Sequence, residues 1–131
     1  MSLFEDGDGL RTKLDKVENL KDDDMLVEVA CTDETAPIRL LAVSRVNNDQ
    51  HLMKIVQNAK GLDVRLVAAE RITSEKLLAE IIKGRENIEL IGVCFSRITD
   101  KDLMEAIAHD TSVNPVARRM AVEKAPQQEA N

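Results

Sequence analysis

Few side chains in this chain of 131 residues are suited to chemistry, and their spacing decides how they are read. There are two histidines (His51 and His109), two cysteines (Cys31 and Cys94), and no tryptophan or tyrosine. A metal site needs several donors converging, usually from short local spacings. His51 is followed by Leu52 and His109 by Asp110, and the two lie far apart in the chain, so neither opens such a motif. No Ser/His/Asp or Cys/His arrangement has spacing that supports nucleophilic catalysis, and no glycine-rich loop is built to cradle phosphate. Asp6-Gly7-Asp8-Gly9 superficially resembles a calcium loop. With Asp6 as the first position, however, the fifth is Leu10 and the twelfth is Val17, so the oxygen ligands are missing. The expectation is a protein with no catalytic residue, no metal and no cofactor.

The most regular polar feature is a row of cations. Arg45, Arg71 and Arg97 stand 26 residues apart, and Lys124 follows 27 further on. Each precedes a small or branched apolar residue, so its stem can lie along a helix while the head reaches out. Two uses fit: pairing with acids or helix-end carbonyls of neighbouring units, or a row that binds carboxylate or phosphate groups.

The same period runs through the apolar residues. Val46, Ile72 and Ile98 are preceded four positions earlier by Ala42, Ala68 and Cys94, and five earlier by Leu41, Val67 and Val93. Polar turns follow, at Asn47-Asn48, Thr73-Ser74 and Thr99-Asp100, and then Leu52, Leu78 and Met104 with Ile55-Val56, Ile81-Ile82 and Ile107-Ala108. The register extends back to Val17, Leu20, Leu26, Val29 and Ala30 and forward to Met120, Ala121 and Val122. Within each unit the apolar residues fall at helical spacing, and nothing alternates with period two. The predicted fold is all-α, with helices near 11–20, 23–31, 37–46, 49–58, 62–72, 75–83, 88–98, 101–109 and 115–125. Thr35, Asn114 and Thr99 are candidate caps, Pro37 and Pro115 suit first turns, and Gly61 and Gly84 suit left-handed helix ends. Helices of about ten residues are marginal alone. Stacking unit on unit hides their apolar stripes, which predicts a right-handed α–α superhelix of about four and a half two-helix repeats.

Val64-Arg65-Leu66-Val67-Ala68-Ala69-Glu70-Arg71-Ile72-Thr73, Leu77-Leu78-Ala79-Glu80-Ile81 and Ala121-Val122-Glu123-Lys124 give the chain its family likeness. In them it resembles the bacterial HEAT-like repeat proteins, including the lyase-type HEAT repeats. It is also similar to the leucine-rich repeat variant, whose first segment is a 3₁₀ helix. The resemblance implies a single repeat domain over 11–125, between a flexible acidic N-terminus (1–10) and a polar C-terminal tail (126–131). It also implies a concave surface, lined by the second helices, that meets another macromolecule. The His-Glu pairs of di-iron HEAT hydroxylases, the basic aromatic groove of HEAT-type DNA glycosylases and the cysteines that precede some variant repeats have no counterpart here.

Formal net charge is −6, and residues 1–35 alone carry −7. Affinity for a duplex comes largely from neutralised phosphates, so nucleic acid is not an expected partner. No apolar run is long enough for a membrane span, and the two cysteines form no paired motif, so a cytoplasmic setting is expected. The second-helix columns Glu28/Lys54/Glu80/Ala106 and Cys31/Gln57/Lys83/His109 vary while the core columns do not. The candidate partner-binding residues are therefore Lys54, Gln57, Glu80, Lys83 and His109, together with Arg45, Arg71 and Arg97. Cys31 in its outward column is a candidate reactive thiol. Cys94 reads as a small core residue and His51 as half-buried at the core edge. Gly92, where other units have leucine, admits either close approach of another backbone or local loosening. The expected function is a non-catalytic protein–protein scaffold or regulatory adaptor. The alternative is an enzyme or enzyme-associated lyase-type protein with a small-ligand pocket. The last helix lacks a second helix after it, which makes the C-terminal end a candidate for self-association.

Overall fold

The computed structural model describes residues 3–84 and 87–129, with side chains described up to 124. Among the described residues every regular element is an α-helix: α1 (Leu10–Glu18), α2 (Asp23–Thr32), α3 (Ala36–Ser44), α4 (Asp49–Asn58), α5 (Leu62–Arg71), α6 (Glu75–Lys83), α7 (Ile88–Arg97), α8 (Lys101–His109) and α9 (Pro115–Glu129). The odd-numbered helices begin 26 residues apart, with a final step of 27, and the even-numbered helices begin 26 apart throughout. The sequence period is thus also the spacing of the elements. No first helix is a 3₁₀ turn.

Local sequence sets these starts. Asp22, Asn48, Ser74 and Asp100 stand at the same position of the period, and each accepts a hydrogen bond from an amide in the first turn of the helix it opens. An amide without a partner inside the helix is satisfied each time. The cap of α8 is therefore Asp100, and not Thr99, whose amide and hydroxyl go elsewhere. Asn87 and Asn114 cap α7 and α9 in the same way, whereas Thr35 makes no side-chain cap.

Gly61 and Gly84 do not terminate helices in the left-handed region. Gly84 has φ −87°, and the one described glycine with positive φ is Gly7. Gly61 is small for a different reason. A Cβ there would stand 2.5 Å from Asp63 Oδ1, with the Arg39 guanidinium at 3.5 Å. At Gly92 a Cβ would meet nothing within 4 Å, so no approaching backbone accounts for that glycine.

The chain divides into two compact units, residues 1–71 and 72–131. In the first, the most extensive packing joins α2 to α3 and α4 to α5, and α1, α3 and α5 also touch in sequence, as do α2 and α4. In the second, α6 packs on α7 and α8 on α9, with further contact of α6 with α8 and α7 with α9. The tight partner of a second helix is therefore the first helix that follows it. By this pairing α9 is matched with α8, and α1 is the helix without a preceding mate.

Equivalent positions are buried again and again. Ile38, Val64, Leu90 and Ala117 form one such set, Ala42, Ala68, Cys94 and Ala121 a second, and Leu52, Leu78 and Met104 a third. Leu41, Val67 and Val93, expected in the core stripe, are half-buried at its edge. A column missed by the stripe argument is Val17, Val43, Ala69 and Phe95, all buried. Its last member, Val122, is 55% exposed. The backbone of α9 runs to Glu129 instead of ending near 125, since good helix formers surround Pro126. Ala130 and Asn131, the end of the expected tail, lie outside the described residues.

The expected lead-in is held against the first unit. Asp8 Oδ2 accepts from the Glu5 amide at 2.9 Å and from Lys16 Nζ at 2.7 Å, and Lys16 also donates to the Leu3 carbonyl at 3.4 Å. The Lys13 ammonium lies 5.3 Å above the centre of the Phe4 ring. The Lys16 hydrogen bond holds the Asp8 carboxyl below its ordinary pKa, with the Glu5 amide acting in the same direction. Asp8 is thus committed to an ammonium within its own chain.

Gly92→Ala should raise the urea midpoint, by about 0.5–1 kcal/mol of stability, because alanine restricts the unfolded chain and its methyl group meets open space. A lower midpoint would mean that the backbone there needs glycine for some other reason.

Candidate functional site

Each member of the cation row is directed at backbone oxygens. Arg45, at the end of α3, donates from Nη1 to the carbonyls of Val17 and Leu20, each at 2.5 Å, just where α1 ends. Arg71, the last residue of α5, reaches the Val46 carbonyl from Nε at 3.2 Å and from Nη2 at 3.0 Å, and Asn47 Oδ1 at 2.7 Å. In the second unit Arg97 donates to the Ile72 carbonyl and Lys124 to the Phe95 carbonyl near the end of α7. Carbonyls at a helix end have no partner inside the helix and carry the negative end of its dipole, so a cation there supplies both a donor and favourable charge. Arg45, Arg71 and Arg97 were candidates for partner binding; Arg45 and Arg71 each join one first helix of the first unit to the carbonyls at the end of the first helix before it, and Arg97 donates within the second unit.

A second set of cations does the same for the other helices of the first unit. Arg39 Nη1 donates to the Asp33 carbonyl at 2.9 Å, at the end of α2, and Arg65 Nε to the Val56 carbonyl at 2.7 Å, near the end of α4. These two residues bridge a second helix to the first helix after it, which is where the packing is most extensive. Sequence reasoning missed them because the spacing of 26 between Arg39 and Arg65 is not continued at Ile91.

The remaining candidates lie at the surface. Lys54 and Gln57 of α4, Glu80 and Lys83 of α6, and His109 of α8 are all exposed, as are Glu28 of α2 and Ala106 of α8. Cys31, assigned with them to an outward column, is 8% exposed, and burial raises its thiol pKa. A raised pKa leaves less thiolate, so the expectation of a reactive thiol is corrected. Cys94 is fully buried in the small-residue column. His51 is half-buried against α2, with Nδ1 3.9 Å from Asp24 Oδ1, beyond hydrogen-bond reach. Among the described residues no three His, Cys, Asp or Glu side chains gather as metal donors, and no helix is long and apolar enough to cross a membrane.

Compared with protein-family models, with curated proteins and with solved structures, the chain matches none. Its function therefore has to be read from its own surfaces.

One carboxylate is held as firmly as the cations. Glu75, at the start of α6, accepts from the Thr99 amide at 2.6 Å, the Asp100 amide at 2.9 Å and the Thr99 hydroxyl at 3.1 Å. It ties one second helix to the turn that opens the next. The Asp100 amide is the main cause of a carboxyl pKa below the ordinary value, with the Thr99 amide and hydroxyl and the nearby Lys124 adding to it. Burial pulls the Lys124 ammonium below its usual range, opposed by the Glu75 charge.

Two measurements follow from these contacts. Arg71→Met should cost about 1.5–3 kcal/mol in urea unfolding, as expected for a charge-assisted hydrogen bond, and Arg71→Lys should cost less. An unchanged midpoint in both would remove the row from the list of structural supports. The Glu75 carboxylate binds protons less readily folded than unfolded, so its contribution is fully present above the ordinary carboxylate range and is lost as pH falls through its lowered folded value. Glu75→Gln should therefore be less stable than the wild type near neutrality, and the gap should shrink below about pH 4. A gap independent of pH would show that the carboxylate charge plays no part.

Proposed function

We propose that this chain is a non-catalytic interaction scaffold or regulatory adaptor of HEAT-like helical repeats, working in the cytoplasm. In this reading the helix pairs continue as a right-handed superhelix. The regular helix spacing supports it, as do the recurrent buried columns and the repeated cation-to-carbonyl step, because equal units joined by equal contacts generate a screw. The partner is another protein, met by the second helices through Lys54, Gln57, Glu80, Lys83 and His109.

One contrast carries the proposal. At equivalent positions of the second helices the inward residues stay aliphatic, as in Leu52, Leu78 and Met104. The exposed ones change from Glu28 to Lys54 to Glu80 to Ala106. A packing rule explains the first set and leaves the second free to match one particular surface. The engagement of Arg45, Arg71 and Arg97 with carbonyls takes the most regular cations out of any phosphate-binding row, which speaks against nucleic acid. The exposed Val122 supports a further, weak self-association through α9, since one short helix face is small beside the roughly 800 Å² per partner of a stable interface.

Chemical cross-linking in native cytoplasm followed by capture of the chain tests the main contact. The triple change Lys54→Glu, Glu80→Lys, Lys83→Glu should keep the urea midpoint within about 0.5 kcal/mol, as surface substitutions usually do, and lose the cross-linked protein. Identical products from both forms would show that the second-helix surface is not the contact.

A further inference from the structure

We propose that the first unit holds a binding site for a lysine or arginine side chain within a basic, partly apolar peptide segment of another protein. The site is a cavity of about 330 Å³ between the N-terminal segment, α1 and α2. It is small enough to suit one long side chain in place of a large organic ligand.

Its lining divides by chemistry. Val29 is buried and Leu3, Phe4 and Met25 are half-buried, which gives an apolar floor. Glu28 and Glu34 are exposed and Asp33 is half-buried, so carboxylates stand towards the mouth. A cation with a hydrocarbon stem matches both parts, the stem lying on the floor and the head meeting the carboxylates.

The chain itself shows that the floor accepts a cation. The Lys13 ammonium lies 5.3 Å from the Phe4 ring centre, within the range of a cation–π contact, and Lys13 is the one base in the lining. Lys13 thus acts as a built-in occupant of the ring face, and a guest cation competes with it. The choice of a peptide over a free amine rests on charge. Asp22, Asp23 and Asp24 are exposed at the start of α2, within a stretch of 35 residues that carries −7. Such a field draws in several cations on one chain more strongly than a single ammonium. The site shares Glu28 with the second-helix column of the proposed function, and its test changes none of Lys54, Glu80 and Lys83.

Fluorescence anisotropy of a short labelled peptide alternating Lys and Leu, titrated with the intact protein, tests the site. Saturable binding that weakens about tenfold or more in Glu28→Gln/Glu34→Gln is expected, since two charge-assisted contacts are lost. Lys13→Met should tighten binding by about two- to fivefold, the size of an exposed cation–π contact, beyond any gain in Lys21→Met. Lys21 is exposed and lies outside the lining, so it controls for the loss of one positive charge. Phe4→Leu keeps the floor apolar without the ring and should weaken binding. The proposal is overturned if the peptide does not bind, if Lys13→Met and Lys21→Met behave alike, if the glutamine pair binds as the wild type does, or if butylamine displaces the peptide at equal concentration.

Discussion

A helix of about ten residues leaves four carbonyls at its end without partners, and most of its length lies within a turn or two of an end. In this chain that constraint is met mostly from outside each helix. Arg45 and Arg71 in the first unit and Lys124 in the second bring donors from one first helix to carbonyls a period earlier, and Arg39 and Arg65 do so for the second helices of the first unit. Because the donor belongs to the next helix and not to the one being capped, closing an end and docking the neighbour are a single event. The apolar columns supply most of the favourable free energy of packing. They are slippery along the helix axis, however, and directed hydrogen bonds are what hold one helix at one height against another.

This explains what was legible and what was not. The helices, their boundaries to within a residue or two except at the end of α9, and the main buried columns follow from period 26 and apolar spacing, because both report on packing that repeats in every pair. The capping positions were visible as polar turns, but Thr99 and Asp100 are adjacent and chemically alike. The period decides between them, because Asp100 stands 26 residues after the cap Ser74, and Thr99 is taken up by Glu75 instead. The targets of the arginines were hidden, since a side chain that ends at a carbonyl leaves no residue type to read. Cys31 shows the opposite failure. Its column is exposed at Gln57, Lys83 and His109, but at the end of α2 the cysteine is 8% exposed. A periodic argument assumes that every unit has the same neighbours, and near the beginning of the chain they differ.

The α9 helix marks where the periodic rule stops at the other side. Ala117 and Ala121 occupy the inward columns and are fully buried against their neighbours, so the helix belongs to the core of its unit. Val122, in the column of Val43, Ala69 and Phe95, lies open. Lysine replaces arginine in this last step and donates to the Phe95 carbonyl, its pKa lowered by burial and opposed by the Glu75 charge. The final contact has fewer donors and a more strongly hydrated cation than the earlier ones.

The use of cations inside the fold also shapes what the surface offers. Arginine is the best side chain for binding carboxylate or phosphate of a partner, yet five of the arginines here end on backbone carbonyls of their own chain. The acids are not drawn inward to the same degree. Asp22 caps a helix with one oxygen, while Asp23, Asp24 and Glu28 stand exposed on α2. The lopsided charge is a matter of composition, since the first 35 residues carry −7 and the five carbonyl-bound arginines all lie after them. Those arginines keep their charge while they close helix ends, but their donors are already directed at fixed oxygens. The acids on α2 are under no such constraint, and their charge is free to act on what approaches that face.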